Sequence, residues 1–175
     1  MRSWKSEVLG LTVIQAEILE DYRGTFVETF NRQACDEMGA PTPFVRDAIS
    51  TSSHHVLRGL HYDDCTWKLI QCVSGRIYFV VVDMRPESQT YHRWEAFVLS
   101  EWNRRQVLVP PLYANGHLVL SESCIFHYKM SAYYDPSNEK TLKWNDSAVN
   151  VHWPIDRPIL SQRDQSGVRE PHVDH

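Results

Sequence analysis

The sequence predicts an all-β fold in which antiparallel sheets form a sandwich or barrel, with a few short helices added. Short runs of β-branched and aromatic residues recur along the chain at intervals typical of sandwiches and barrels. The run IYFVVVD is apolar on both faces, as expected of a strand that is covered on both sides. Helix signals are few and short. The 175 residues suit one domain of ordinary size.

Alternation and turn residues mark the individual strands. Ser74-Gly75 is a turn dipeptide between two runs, 68–74 and 76–83, which we interpret as a hairpin. Further short strands are predicted in RWEAFVLS, RQVLVPP, HLVLSE and CIFHYKMSAYY. Pro110 and Pro111 should end the second of these strands, because proline cannot donate a hydrogen bond to a sheet.

Helices and loops are expected between the strands. NRQACDEMG predicts one or two helical turns that end at Gly39. SEWN is typical of a turn, and DPSNEKTLKWND of a loop. The final segment, 165–175, is polar and lacks periodicity. We therefore expect a single domain over residues 1–164 followed by a loose tail.

Composition and charge restrict the classes of function. The formal net charge of −4 argues against a general nucleic-acid binder, but not against a small anionic ligand held by a few arginines. No apolar run is long enough to span a membrane, and MRSWKSEVLG lacks the apolar core of a signal peptide. The four cysteines show neither CxxC pairing nor zinc spacing. We expect a cytoplasmic protein with free thiols and no membrane or nucleic-acid partner.

The stretch VLRGLHYDD places Arg58 and His61 inside a predicted strand. Side chains three residues apart point to opposite faces of a regular strand, so one flat strand cannot bring both into one pocket. A bulge at Gly59 would do so. On spacing alone, His61 is also consistent with a hydrogen-bonded core histidine, and Lys68 with an exposed residue at a strand end.

A dedicated metal site is not expected among the nine histidines. A metal site on a β-barrel would require two histidines on one strand face, with a third histidine and a carboxylate nearby. His54 and His55 are adjacent and point apart, while His117 and His127 stand alone in their strands. The chain contains no P-loop, GxGxxG or GxSxG motif.

Several segments together resemble one family. VLRGLHY, the lysine at position 68, VVVDMR, SEWNRRQ, VPPLYANGHLVLSE, YKMSAYY, KWND, WP and ILSQRD occur in order. They are similar to the dTDP-4-dehydrorhamnose 3,5-epimerase family of nucleotide-sugar epimerases, over about residues 13–164. The resemblance implies a cupin jelly-roll homodimer that works without metal or nicotinamide. It also implies a substrate that is a nucleoside-diphosphate 4-keto-6-deoxy sugar.

The resemblance gives four residues catalytic roles. His61 matches the base that removes a proton from carbon next to the ketone, and neutral imidazole is available for this near neutral pH. Asp164 matches the carboxylate that pairs with this histidine. Tyr128 matches the acid on the opposite face of the sugar. Lys68 matches the residue whose charge stabilises the enolate. On spacing alone, Tyr128 is also typical of strand packing.

Binding roles follow from the same resemblance. Arg58 matches an arginine that holds the sugar and the diphosphate, for which a guanidinium is well suited. Arg23, Phe26 and Glu28 match a nucleotide-contacting loop that the partner subunit contributes in the family. Other matching positions are Tyr134, a second pocket tyrosine, and Arg163, which stands where the family usually has lysine. Without the resemblance, these residues would be interpreted as packing or solvated side chains.

Three departures separate this chain from the dTDP-rhamnose enzymes. YANGH replaces FAHGF, so Asn115 stands in place of a pocket histidine. FVRDA replaces FVQDN, so Arg46 and Ala48 replace two amides that contact ligand. The segment between His61 and Lys68 is also shorter. These changes resemble a branch that acts on GDP-linked 4-keto-6-deoxy-heptoses for capsule or surface-polysaccharide synthesis.

Some alternatives remain open at the level of sequence. The nucleotide is GDP or dTDP, the sugar is a hexose or a heptose, and inversion takes place at carbon 3 alone or at carbons 3 and 5. A catalytically silent cupin that binds a nucleotide sugar or carbohydrate is the alternative from another class. A metal-dependent cupin oxygenase is a third.

Overall fold

The computed structural model describes residues 1–39 and 43–167, and these residues form two packed antiparallel sheets with two short helices. The helices are α1, Arg32–Glu37, and α2, Gln162–Ser166. The strands are β1 Arg2–Lys5, β2 Thr12–Gln15, β3 Ile18–Asp21, β4 Gly24–Val27, β5 Arg46–Ser53, β6 Leu57–Tyr62, β7 Lys68–Ser74, β8 Arg76–Asp83, β9 Trp94–Ser100, β10 Arg105–Val109, β11 Tyr113–Val119, β12 Ser123–Met130 and β13 Lys140–Thr141.

The larger sheet has the order β1-β2-β10-β7-β12-β5, and the smaller has the order β13-β6-β11-β8-β9. Strands β3 and β4 form a separate hairpin. The main core lies between the two sheets, where Ile70 and Val107 of the larger sheet pack in one cluster with Ile77 and Phe79 of the smaller. The predicted all-β sandwich of antiparallel sheets is therefore confirmed.

The hairpin predicted around Ser74-Gly75 is wrong in its pairing, although both of its strands are present. Strand β7 lies in the larger sheet and β8 in the smaller, so the chain crosses from one sheet to the other at Gly75. Gly75 has φ +79, and a Cβ there would lie 2.2 Å from the Ser123 carbonyl oxygen. Strand β8 is apolar on both faces because each face is covered: Phe79 and Val81 pack in the core between the sheets, and Val80 and Val82 pack in a second cluster with Val149.

Strand β2, which contains Val13, is not a free edge of the larger sheet. Val13 pairs with Trp4 of β1 on one side and with Val107 of β10 on the other. Strand β2 is therefore internal in its sheet. The edges of the larger sheet are β1 and β5.

Both helices are short, and their ends follow from their capping residues. The side chain of Asn31 accepts a hydrogen bond from the Ala34 amide at the start of α1. After the helix, Gly39 adopts φ +71, which confirms the predicted end. Helix α2 continues past the predicted domain boundary at residue 164, and 168–175 of the predicted tail lie outside the described residues. Among the described residues, neither helix is long enough to cross a membrane.

The bulge predicted at Gly59 is confirmed. Asn115 and His117 are two residues apart on β11, but they pair with His61 and Arg58, which are three apart on β6. The extra residue turns the side chains of Arg58 and His61 toward the same cavity. Gly59 has φ +123, and a Cβ there would lie 2.6 Å from the Cα of Gly116, so only glycine fits.

Candidate active site

A cavity of about 540 Å³ opens between the two sheets. Strands β5, β7 and β12 form one wall, and β6 and β11 form the other. All four residues assigned to chemistry from the sequence line it, namely His61, Lys68, Tyr128 and Asp164. Five of the eight assigned to binding line it as well, namely Arg46, Arg58, Asn115, Tyr134 and Arg163.

His61 and Asp164 form a hydrogen-bonded pair, with Nε2 of His61 2.6 Å from Oδ1 of Asp164. The first turn of α2 positions the carboxylate, because the Asp164 amide donates to the N-cap hydroxyl of Ser161. The Gly59 amide at the bulge donates to the other carboxylate oxygen over 3.3 Å. The bulge and the helix therefore orient the two members of the pair toward each other.

The protonation of this pair follows from the surroundings of the carboxylate. Burial by itself raises the pKa of the Asp164 carboxyl, but the His61 hydrogen bond, the charge that His61 carries when it is protonated and the Gly59 amide lower the pKa to below its ordinary value. The carboxylate is therefore ionised near neutral pH and accepts hydrogen bonds only. Nε2 of His61 must carry the shared proton, which leaves Nδ1 with a lone pair.

Lys68 begins β7 at the cavity wall and forms no ion pair within the described residues. Burial lowers the pKa of its ammonium group, and the nearby charges of Asp63 and Glu139 only partly oppose that effect. No carboxylate of the described residues lies within ion-pair distance of this ammonium group. Such a group is suited to stabilise negative charge that forms on a bound ligand.

Tyr128 lies on β12, in the sheet opposite to the one that carries His61. Its ring packs on Phe126, with the ring centroids 5.4 Å apart. A histidine and a phenol therefore face one cavity from opposite walls. This arrangement suits removal of a proton on one side of a ligand and delivery of a proton on the other.

Three arginines give the cavity a positive lining. Arg58 donates from Nε to the Ser52 hydroxyl over 2.8 Å. The Arg46 guanidinium lies over the ring of Tyr134, 5.4 Å from its centroid. Arg163 donates to Glu139 over 2.7 Å and to the Thr141 hydroxyl, and these contacts hold it beside Asp164.

Asn115 supports the bulge with its side-chain amide. Its Nδ2 atom donates to the carbonyl oxygens of His61 and Tyr113, each over 3.0 Å. Both amide hydrogens are thus used by the protein, and the side-chain oxygen remains as the acceptor available to a ligand.

Arg23, Phe26 and Glu28 do not line this cavity. Arg23 pairs with Asp21 over 2.5 Å, and Glu28 accepts a hydrogen bond from Asn31. Phe26 is 66% exposed on β4. In a single subunit these residues lie on the outside, so their role as a partner-subunit contact stays a prediction.

His117 is a cavity residue that sequence reasoning placed nowhere near the site. It lies two residues after Asn115 on β11, and therefore on the same face of the strand. It is 2% exposed, and its ring stacks on Phe126 with centroids 4.2 Å apart. Residues two apart in a strand share a face, so the prediction that Asn115 lies in the pocket could also have identified His117 in YANGH.

The sequence model of the dTDP-4-dehydrorhamnose 3,5-epimerase family matches residues 5–169. The chain belongs to this family. A curated relative with that name from Salmonella typhimurium is 38% identical over 165 residues, covering 91% of this chain and 90% of its own. Another from Shigella flexneri is 35% identical over 175 residues, covering 98% and 97%. The chain is accordingly an isomerase that acts on a nucleotide sugar.

Solved structures of relatives show the same fold. The dTDP-6-deoxy-D-glucose-3,5-epimerase from Legionella pneumophila, in complex with dTDP-4-keto-L-rhamnose, superposes with a TM-score of 0.90 at 34% identity, covering 94% of this chain and 90% of its own. A 3'-monoepimerase from Streptomyces bikiniensis, in complex with dTDP-quinovose, gives a TM-score of 0.88 at 27% identity, covering 93% and 85%. These similarities confirm the cupin jelly roll of this epimerase family.

Proposed function

We propose that the chain inverts carbon 3, or carbons 3 and 5, of a GDP-linked 4-keto-6-deoxy-heptose used for capsule or surface-polysaccharide synthesis. The ketone at carbon 4 acidifies the hydrogens on its two neighbouring carbons. The observation that carries the chemical part of the proposal is the placement of the His61–Asp164 pair and Tyr128 on opposite walls of one cavity.

The first step transfers a proton from carbon to Nδ1 of His61. The electron pair of the broken C–H bond moves into the enolate, and the negative charge comes to rest on the carbon 4 oxygen. Asp164 stabilises the resulting imidazolium through its short hydrogen bond at Nε2. Lys68, which lacks a close ion-pair partner in the described chain, stabilises the enolate oxygen.

The second step returns a proton to the same carbon from the opposite face. The Tyr128 phenol lies on the other wall of the cavity and gives its proton to the enolate carbon as the ketone re-forms. The configuration is inverted because the proton left toward one sheet and arrived from the other. No electrons are lost or gained overall, so the step needs no redox cofactor.

Arg46 supports the choice of guanine. It stands where the dTDP-rhamnose enzymes have an amide, and its guanidinium is held over Tyr134 at the cavity wall. A guanidinium can donate two parallel hydrogen bonds to O6 and N7 of guanine, a pair of acceptors that thymine lacks. Ala48, which replaces the second amide on the same strand, removes a polar group that a thymine-binding site would use.

The sugar-facing wall supports a larger sugar. Asn115 is smaller than the histidine that the family pattern has at this position, and both of its amide hydrogens are bonded to backbone carbonyls. The segment between His61 and Lys68 is shorter than in the dTDP-rhamnose enzymes. Both changes leave additional room, which suits the extra carbon of a heptose.

A homodimer would complete the nucleotide site. The β3–β4 hairpin carries large side chains that its own subunit does not cover, with Tyr22 97% and Phe26 66% exposed. We propose that this hairpin packs against the cavity of the partner subunit, with Arg23 and Glu28 beside the nucleotide. Sedimentation of the purified protein should give a dimer, and a monomer at micromolar concentration would contradict this part of the proposal.

Solvent-deuterium incorporation tests the function. GDP- and dTDP-linked 4-keto-6-deoxy sugars, hexose and heptose, are incubated with the protein in D₂O, and deuterium at carbons 3 and 5 is followed by NMR. We expect exchange with all of them to depend on His61, with the highest rate for the GDP-heptose. Exchange at buffer rate for every substrate would reject epimerisation, and tight binding without exchange would indicate a catalytically silent cupin. A preference for the dTDP sugars would reject only the GDP assignment.

A further inference from the structure

Two buried side-chain atoms in the described part of the chain have no hydrogen-bond partner, Nε2 of His117 and Nη2 of Arg163. Both residues line the same cavity. Buried polar atoms are almost always paired in folded proteins, so two exceptions at one cavity indicate groups arranged for a ligand. Arg163 is already assigned to substrate binding, whereas His117 has no assigned role.

The surroundings of His117 hold its ring in one orientation. One face of the imidazole stacks on Phe126 at an interplanar angle of 18°. Its backbone pairs with Arg58 of β6 on one side and with Phe79 of β8 on the other, so it lies in the interior of the smaller sheet. A ring packed in this way holds the imidazole in the cavity wall.

His117 is neutral near neutral pH. Burial, together with the positive charge of Arg58, lowers the pKa of its imidazole to about 3, and the carboxylate of Asp164 only partly opposes this. A neutral imidazole offers one N–H donor and one acceptor nitrogen but exchanges no proton near neutral pH. Its chemistry is therefore that of a binding group and differs from that of His61.

We infer that His117 is a specificity-determining residue, whose imidazole forms a hydrogen bond with a hydroxyl of the substrate's sugar ring on the side that faces His61. The assignment of a sugar rests on the function proposed above. The position fits this role because the ionisable groups that act on His117 are Arg58, Asp164 and His61, and the last two form the hydrogen-bonded pair that acts as the base. The sugar, rather than the nucleobase, must lie at this end of the cavity, because His61 has to reach the sugar carbon next to the ketone.

The pattern along β11 supports the inference. Asn115 and His117 share one face of the strand, about 7 Å apart, and both line the cavity. This wall therefore carries two polar side chains at different positions along the strand, beside the His61–Asp164 pair.

Binding measurements with His117→Phe test the inference. Phenylalanine keeps the stacking on Phe126 and removes only the ring nitrogens. By calorimetry, we expect affinity for the unreactive sugars GDP-mannose and dTDP-glucose to fall about tenfold, the loss typical of one neutral hydrogen bond, with affinity for GDP and dTDP unchanged. In turnover, KM should rise by a similar factor while kcat changes less than threefold.

Tyr113→Phe is the matched control. It also removes a polar atom from a buried aromatic ring of β11, but Tyr113 does not line the cavity. All of these affinities should stay within twofold of the wild type. The inference is overturned if folded His117→Phe binds the sugar nucleotides as tightly as the wild type, or if it loses affinity for GDP and dTDP equally.

A second pair of variants keeps the test decisive if His117→Phe does not fold. Glutamine retains a hydrogen-bonding amide, whereas methionine has similar length without one, so His117→Gln should bind the sugar nucleotides about threefold to tenfold more tightly than His117→Met. Equal affinities would overturn the inference. A wild-type protein that binds these sugars but exchanges no deuterium would refute the proposed epimerisation and still allow His117 to be judged.

Discussion

Two His–Asp pairs with nearly the same geometry lie on opposite sides of the larger sheet. In the cavity, His61 and Asp164 are 2.6 Å apart, and on the outer face His127 and Asp47 are 2.5 Å apart. The pairs differ in what surrounds them. Asp164 is nearly inaccessible, with 5% of its side chain exposed, whereas the side chain of Asp47 is 52% exposed and is shared with Lys129.

The second ring nitrogen distinguishes the two histidines. Nδ1 of His127 accepts a hydrogen bond from the Gln71 amide over 2.8 Å, and Gln71 accepts one from Gln106. Nδ1 of His61 has no such partner in the described residues, and its residue lines the cavity. Only His61 can therefore take a proton from a ligand. A His–Asp pair indicates a base only where the far nitrogen is free and faces a cavity.

The two pairs should differ most in how the loss of their histidine affects the rate of deuterium exchange. His61→Asn removes the base, and deuterium exchange should fall at least about 10³-fold, within the range for loss of general base catalysis. His127→Asn removes a ring that bonds to Asp47 and Gln71, neither of which lines the cavity, and exchange should stay within threefold. The rates are measured by NMR in D₂O under saturating substrate.

A thermal melt of each variant controls for folding. His127→Asn breaks contacts to Asp47 and Gln71, so its melting temperature should fall more than that of His61→Asn. The comparison would fail if His127→Asn lost activity at a temperature where it is fully folded.

The aspartate variants should give the next largest difference. Asp164→Asn keeps the shape of the residue but removes the charge that stabilises the imidazolium, so kcat should fall about 10²-fold or more. Asp47→Asn should leave kcat unchanged. Steady-state rates at several pH values check this. A wild-type kcat in both variants would show that the Asp164 carboxylate has no role in the reaction.

Tyr128→Phe should have a smaller effect on rate and a specific effect on products. With His61 intact, exchange at the first carbon should continue at no less than about a tenth of the wild-type rate, while inversion is impaired because the opposite-face proton donor is missing. His127 and Tyr128 are neighbours on β12 and point to opposite faces, so this variant tests only the cavity side. The ratio of exchanged to inverted product is measured by NMR, and an unchanged ratio would argue against Tyr128 as the acid.

Much of the fold could be predicted from the sequence, because the alternation of apolar residues and the turn residues are local features. The strands, the helix ending at Gly39 and the bulge at Gly59 follow from residues a few positions apart. Sheet pairing does not, and the chain therefore crosses between sheets at Gly75, where a hairpin was expected. The contrast between His61 and His127 is also long-range, because Asp164 and Gln71 are far from them in sequence.

Nine of the twelve residues assigned by resemblance line the cavity, namely the four chemical residues and five of the eight binding residues, and their roles stay predictions. Arg23 and Phe26 lie on the β3–β4 hairpin and Glu28 directly follows it, and all three lie outside the cavity of their own subunit. His117 was overlooked for the opposite reason. A lone histidine in a strand is usually a core residue, and its unpaired nitrogen becomes visible only when the facing strands are in place.

Acid stability gives the smallest expected difference between the two pairs. Burial raises the pKa of both Asp164 and Asp47, but hydrogen bonds from their partners lower both below the ordinary value, His61 for Asp164 and Lys129 for Asp47. A carboxyl whose pKa is lower in the folded state stabilises the fold at a pH above its unfolded pKa of about 3.9, and that contribution is lost as pH falls through the folded value. Each Asn variant should therefore lose less stability than the wild type between pH 5 and the acid limit of folding.

The His127–Asp47 pair on the outer face should contribute less than the His61–Asp164 pair to the loss of stability at acid pH. At neutral pH, Asp47→Asn should lower the free energy of unfolding by less than about 1 kcal/mol, because half-exposed ion pairs are screened by water. Asp164→Asn should remove more of the acid dependence, since its carboxylate is buried and bonded to both His61 and Gly59. Urea unfolding followed by tryptophan fluorescence at pH 7, 5 and 4 measures both. Asp47→Asn could instead reduce the pH dependence of the free energy of unfolding more than Asp164→Asn does. The His127–Asp47 pair would then be the stronger electrostatic contact, and burial would not explain the difference between the two pairs.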